Sequence, residues 1–223
     1  MAGLVAREIQ DPNCLVLALP RGGVPVAFQV AGGLHAELDV LLVRKLGLPG
    51  EEELAIGAVA SGGVRVLNED LVRELHLSPS LIDQITAREE RELERREDLY
   101  REHQPPAPIR GRTVILVDDG LATGASMKAA ILAVRLQEPG RVIVAVPVAA
   151  RQTCEEFSGY VDKIVCAYAP SRFMAVGVWY EEFAQTTDEE VRRLLAASRT
   201  SPKSEETHNH VPRSAVASDN RNR

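Results

Sequence analysis

Residues 114–126 read "VILVDDGLATGAS". Aliphatic residues run there without a polar break, which marks a strand buried on both faces. Two adjacent carboxylates follow, then a turn of small residues leading into a helix. A strand of this kind needs cover on both faces, so the stretch commits the chain to a layered α/β fold. "CLVLALP" (14–20) and "DVLLVRKL" (39–46) read as further buried strands, and "RVIVAVPVA" (141–149) and "KIVCAYAP" (163–170) as strands. "PVAFQVAGGL", "GASMKAAILAVRLQEPG", "RQTCEEFSGY" and "DEEVRRLLAAS" read as helices, and residues 2–9 as a short helix. This alternation predicts a mostly parallel central sheet flanked by helices.

Two segments interrupt the alternation. "ELAIGAVASGGVRVLNED" (53–70) predicts a hairpin that turns at Ser61-Gly62-Gly63. From Ser78 to about His103 the pattern is one long charged helix, with Ser78 as N-cap and Pro79 in the first helical position. Leu81, Ile82, Ile85, Leu93 and Leu99 supply its apolar residues, and Glu92–Arg96 and Glu97–Arg101 stand at pairing distance. Its charged remainder is expected to be a solvated face.

A length of 223 residues suits one α/β domain, expected over 1–198. From Arg199 to 223 the chain is polar and aperiodic, and a disordered tail is expected. His208 and His210 lie in that tail, where a metal site is the minor reading. The formal charge of −6 argues against a nucleic-acid partner, which requires a basic face. No apolar run approaches the roughly 20 residues of a membrane helix. The first residues lack the basic-then-apolar pattern of a signal peptide. Cys14, Cys154 and Cys166 are widely spaced in apolar surroundings, which suggests reduced thiols and a cytoplasmic location.

In a parallel sheet, ligands bind beyond the carboxyl ends of the strands. Asp118 and Asp119 occupy such an end. The backbone N–H groups of Ala122, Thr123, Gly124, Ala125 and Ser126 can close around a phosphate at a helix start. Thr123 and Ser126 add hydroxyl donors. An anion beside two carboxylates is repulsive unless the ligand turns hydroxyls or a metal toward them. A sugar phosphate does this, with its phosphate in the loop and its hydroxyls on the aspartates.

"VILVDDGLATGAS" resembles the 5-phosphoribosyl 1-diphosphate (PRPP) binding motif of type I phosphoribosyltransferases. Gly120 departs from it where a branched apolar residue is usual, and Ala125 where a second glycine is common. In that family a short loop after the first strand grips the diphosphate; here the place is taken by Leu19-Pro20-Arg21-Gly22-Gly23. Gly22 and Gly23 permit close backbone approach, and Arg21 supplies a fixed charge. "VRKLGLPG" (43–50) is similar to the end of the second strand in adenine and orotate phosphoribosyltransferases, which implies that Arg44 and Lys45 face the diphosphate. "LGLPGEEELAIG" is a candidate for part of a mobile loop hinged at Gly47, Pro49 and Gly50. "RFMAVGVWYEEF" (172–183) resembles the segment of hypoxanthine-guanine phosphoribosyltransferases in which an aromatic stacks on the purine. Phe173, Trp179 and Tyr180 are candidates for that platform, and a plug for the sheet edge is the even alternative.

Over about 14–195 the chain is most similar to an uncharacterised bacterial and archaeal group of phosphoribosyltransferases with "LPRGGVPVA", "LAIGAVA" and "VDDG.ATGAS" motifs. The resemblance implies transfer of the phosphoribosyl group from PRPP to a small-molecule acceptor, with release of diphosphate. It also implies Mg2+ held mainly by PRPP, no protein metal site, and a homodimer as one assembly open to the chain. Asp118, Asp119 and Lys45 are the implied catalytic residues. A sensor that binds PRPP or a nucleotide without turnover is the alternative, and a lyase or hydrolase of a phosphorylated sugar is the second.

Overall fold

The computed structural model describes residues 1–200. In chain order the elements are α1 (Ala2–Glu8), β1 (Cys14–Ala18), α2 (Gly23–Leu34), β2 (Glu37–Val40), β3 (Val43–Leu48), β4 (Glu51–Ala60), β5 (Val64–Leu67), α3 (Glu69–Glu74), α4 (Pro79–Arg101), β6 (Thr113–Val117), α5 (Ala125–Arg135), β7 (Arg141–Val148), α6 (Arg151–Phe157) and β8 (Lys163–Tyr168), then a 3-10 turn (Val176–Trp179) and α7 (Asp188–Thr200). Five strands form a parallel sheet in the order β2-β1-β6-β7-β8. β1 and β6 are buried along their whole length, as their unbroken apolar runs require. One core layer packs Val16, Ile115 and Val117 with residues of α2, α4 and α7. The other packs Leu15, Leu17 and Leu116 with Met127 and Ile131 of α5 and Phe157 of α6. The chain is an α/β protein with a mostly parallel central sheet flanked by helices, as the alternation of patterns indicated.

The run "DVLLVRKL" is not one strand. Glu37–Val40 joins the parallel sheet beside β1, while Val43–Leu48 opens a separate antiparallel sheet ordered β3-β4-β5. Leu41 and Leu42 carry the chain between the two sheets, and both are buried. A buried corner keeps its residues apolar, so hydrophobicity alone cannot reveal the break. The hairpin expected over 53–70 is β4–β5, with Gly62 and Gly63 at φ 84° and 71°. Most of the segment read as part of a mobile loop is paired in β3 and β4; Pro49 and Gly50 form the turn between them.

α4 is more than a solvated helix. Ser78 caps it, its hydroxyl accepting from the Leu81 N–H at 3.3 Å. Ile82, Ile85 and Leu93 are buried, but so are Glu89 and Arg101. Arg101 Nε donates to Asp39 Oδ1 at 3.0 Å and its Nη2 to the Val40 carbonyl at 2.6 Å. The Ala107 N–H donates to Asp39 Oδ2 at 2.9 Å. This buried network ties the end of α4 to β2. α7 extends through Arg199 and Thr200, so the expected tail begins later than Arg199. The rest of that tail, with His208 and His210, lies outside the described residues. No helix among the described residues is long and apolar enough to cross a membrane.

Candidate active site

β6 ends at Val117, and Asp118 and Asp119 leave the ladder at its carboxyl end. The Asp119 N–H donates to Asp118 Oδ1 at 2.9 Å. Burial first, and then the charge of Asp119, push the Asp118 carboxyl up to about 8. Burial also raises Asp119. Two carboxylates this close, with little water around them, resist being charged together.

The loop after them leads into α5 with the helix's first N–H groups outside its hydrogen-bond ladder. Leu121 ties it to the end of β7, its N–H donating to the Val148 carbonyl at 2.9 Å and its carbonyl accepting from the Ala150 N–H at 3.0 Å. Thr153 of α6 donates its hydroxyl to the Ala122 carbonyl at 2.7 Å. Gly124 takes φ 71° as the N-cap of α5, with Phe157 against its α-carbon. The first helical bond of α5 is Lys128 N–H to the Gly124 carbonyl, and no side chain caps the helix. The N–H groups of Ala125, Ser126 and Met127 therefore precede the helical ladder, where the helix dipole is positive. Ala122, Thr123, Ala125 and Ser126 are exposed, so the loop is open to a ligand.

The turn after β1 packs on the aspartates. A β-carbon at Gly22 would lie 1.9 Å from Asp119 Oδ2, and one at Gly23 would lie 2.6 Å from the Val117 carbonyl. The peptide between Pro20 and Arg21 is cis. Arg21 stands 3.8 Å from Asp188 at the start of α7. A cleft of about 110 Å3 opens beside Asp118, between Pro20, Arg44 and Ser126. Arg44 Nε and Nη2 both reach Glu89 Oε2, at 2.8 and 2.5 Å.

The structure therefore brings together Arg21, Gly22, Arg44, Asp118, Asp119 and Ala122–Ser126. Lys45 is exposed on β3 and is not among the residues lining the cleft; neighbours on a strand point to opposite faces. Phe173 is half-buried and makes no ring contact among the described residues. Of the aromatic segment, Tyr180 reaches the site. Its hydroxyl donates to the Asp119 carbonyl at 2.5 Å, and burial pushes its phenol up to about 12. Trp179 packs on Tyr168 with ring centroids 5.0 Å apart.

Gly120 has a physical reason to depart from the branched residue usual at its place. A β-carbon there would meet Val176 Cγ1 at 2.7 Å, so the 3-10 turn occupies that space. Sequence reading missed Glu89, Arg96, Tyr100 and Asp188. The only signal for the three on α4 was their placement at 89, 96 and 100 on one helical stripe with Leu93. A larger cavity, about 730 Å3, lies beside the edge strand β2 among Phe28, His35, Leu38 and Thr200. Asp39 there is already committed to Arg101.

Residues 1–171 match the family model described as "Phosphoribosyl transferase domain". Two curated Mycobacterium tuberculosis proteins, from strains CDC 1551 / Oshkosh and H37Rv, are each 48% identical over 188 residues. Both bear the name "Putative phosphoribosyl transferase". The match covers 84% of this chain but 42% of theirs, so this chain spans less than half the length of those relatives. The crystal structure of TT1426 from Thermus thermophilus superimposes with a TM-score of 0.79 at 43% identity, covering 88% of this chain and 92% of that one. The chain belongs to the phosphoribosyl transferase domain family.

Proposed function

We propose that this protein is a phosphoribosyltransferase that moves the 5-phosphoribosyl group of PRPP to a small-molecule acceptor and releases diphosphate. The observation that carries the reading is the seating of the Asp118–Asp119 pair between two turns, one closing on Asp119 at Gly22 and one running from Ala122 to Ser126. A ligand with phosphate groups at both ends and hydroxyls between them matches that order.

The N–H groups at the start of α5, with Thr123 and Ser126, bind the 5-phosphate. Asp118 and Asp119 accept from the ribose hydroxyls and stabilise positive charge as it develops at C1. Arg21 and Arg44 offset the charge of the departing diphosphate, and Lys45 adds positive charge to the same hairpin. The Gly22–Gly23 turn lets backbone N–H groups approach the diphosphate. A nucleobase-like acceptor fits the aromatic segment, with Phe173 as the candidate to stack on it and Tyr180 holding the segment to Asp119.

Two carboxylates suit a magnesium ion that arrives on its phosphate ligand, because this ion keeps several waters and needs few protein donors. Such an ion would neutralise diphosphate charge, and Asp118 and Asp119 are the residues that would help to hold it. The test is titration of the folded protein with PRPP and Mg2+, followed by a screen of nucleobases for diphosphate release. Acceptor-dependent release is expected. Absence of PRPP binding overturns the reading, and binding without release under any acceptor favours the sensor.

A further inference from the structure

Arg96 and Tyr100 of α4 line the cleft beside Asp118, facing Arg44 and Ser126. Glu89, Leu93, Arg96 and Tyr100 fall on one helical stripe, and all but Arg96 are buried. That stripe is held rigidly: Leu93 sits in the core, and Arg101 is locked to Asp39 at the next position after Tyr100. Arg96 Nε donates to Glu92 Oε1 at 2.8 Å, its only hydrogen bond among the described residues. Its two terminal amino groups are therefore open to a ligand.

The surrounding charges point the same way. The Tyr100 hydroxyl donates to Asp188 Oδ1 at 2.6 Å, and Arg21 Nη1 lies 3.8 Å from that oxygen. Arg44 of β3 also lines the cleft, held to α4 by Glu89. Two arginines from distant segments, Arg44 and Arg96, thus line one small cleft, and Arg21 stands beside its Tyr100 wall at Asp188, in a chain whose formal charge is −6. Arginines concentrate where a multiply charged oxyanion is to be held by several donors. The loop 122–126 accounts for a single phosphate, and the cleft runs between Ser126 at the end of that loop and Leu19 and Pro20 of the turn after β1.

We propose that Arg96 is a direct ligand of the diphosphate end of the substrate, supplied to the site by the long helix α4. This inference rests on the reading of the site as a PRPP site. The test is calorimetric titration of wild type, Arg96→Gln, Arg96→Lys and Arg95→Gln with three probes: PRPP, inorganic diphosphate and ribose 5-phosphate, each with Mg2+. Arg95 is the control because it forks onto the same Glu92, at 2.8 and 2.9 Å, yet does not line the cleft.

Arg96→Gln is expected to weaken PRPP and diphosphate about tenfold while ribose 5-phosphate stays within about twofold. Arg96→Lys is expected to fall between Arg96→Gln and wild type. Unchanged PRPP and diphosphate affinity in Arg96→Gln, with wild type binding normally, overturns this proposal and leaves the proposed function standing. An equal loss in Arg95→Gln also overturns it, since the effect would then belong to the helix charge. Wild type that fails to bind PRPP overturns the reading beneath both.

Discussion

Gly22 lies so close to Asp119 that a β-carbon would come within 1.9 Å of its Oδ2, whereas one at neighbouring Gly23 would strike the Val117 carbonyl at 2.6 Å and the Asp118 α-carbon at 2.9 Å. The first obstacle is a side-chain end that can swing away. The second is backbone. Gly22→Ala is therefore expected to keep its melting temperature near wild type while weakening PRPP binding by about tenfold or more, because the displaced carboxylate leaves the ribose. Gly23→Ala is expected to lose about 1–3 kcal/mol of stability in urea titration. The reverse pattern would show that the two turns do not meet as described.

Asp118 connects the site to pH. Its carboxyl is pushed up to about 8, well above its ordinary value, by burial and then by Asp119. The folded state therefore holds a proton that the unfolded chain gives up near pH 4. The stability this contributes is complete below that pH and is lost as the pH rises through about 8. Asp118→Asn removes the cost of ionising the group. Its melting temperature is expected to exceed that of wild type by about 5 °C or more near pH 9, and the gap to close near pH 4. Parallel curves across that range would contradict the raised carboxyl. The same variant is expected to bind PRPP more weakly, the usual opposition of stability and function at a site.

The Asp39–Arg101 pair is buried, each side chain less than a tenth exposed. Removing one partner strands the other. Asp39→Ala is expected to cost about 3–5 kcal/mol in chemical denaturation. The double substitution Asp39→Leu/Arg101→Met should recover most of that, because an apolar pair of similar size avoids the stranded charge. A double variant as unstable as the single one would show that the bonds to Val40 and Ala107 matter more than the charges.

Gly120 and Val176 are packed against each other across 56 positions of sequence. Gly120→Val, which restores the residue type more usual in the motif, is expected to push out the 3-10 turn and break the Tyr180 bond to the Asp119 carbonyl. Limited proteolysis should then cut within 172–183. Val176→Ala is expected to restore protection in part, because the Val148 carbonyl also crowds the position at 3.0 Å. Continued protection in the single variant would refute this packing.

The loop 120–126 and its aspartates are legible in the sequence because their signal is local. Strand burial, a pair of acids and a small-residue helix start all lie within 13 consecutive residues, 114–126. The succession of strands along the chain is legible for the same reason, since an unbroken apolar run needs a covered sheet; β8 is an edge strand, and of its residues only Val165 is buried. Boundaries are harder. The corner at Leu41–Leu42 is as apolar as the strands on either side, so nothing in the pattern separates β2 from β3.

Local residue type, then, determined that this chain would form a mostly parallel α/β sheet with paired acids and a small-residue turn at one strand end. Tertiary structure alone decided which distant residues complete that turn. Only packing could set Gly22 against Asp119, turn Arg44 into the cleft and Lys45 away from it, and return Arg96 and Tyr100 of a charged helix to the same site. The physical reason is that a helix or strand declares which of its faces is apolar, but not what will meet that face. That choice is made by the handedness and length of the connections that bring the elements together.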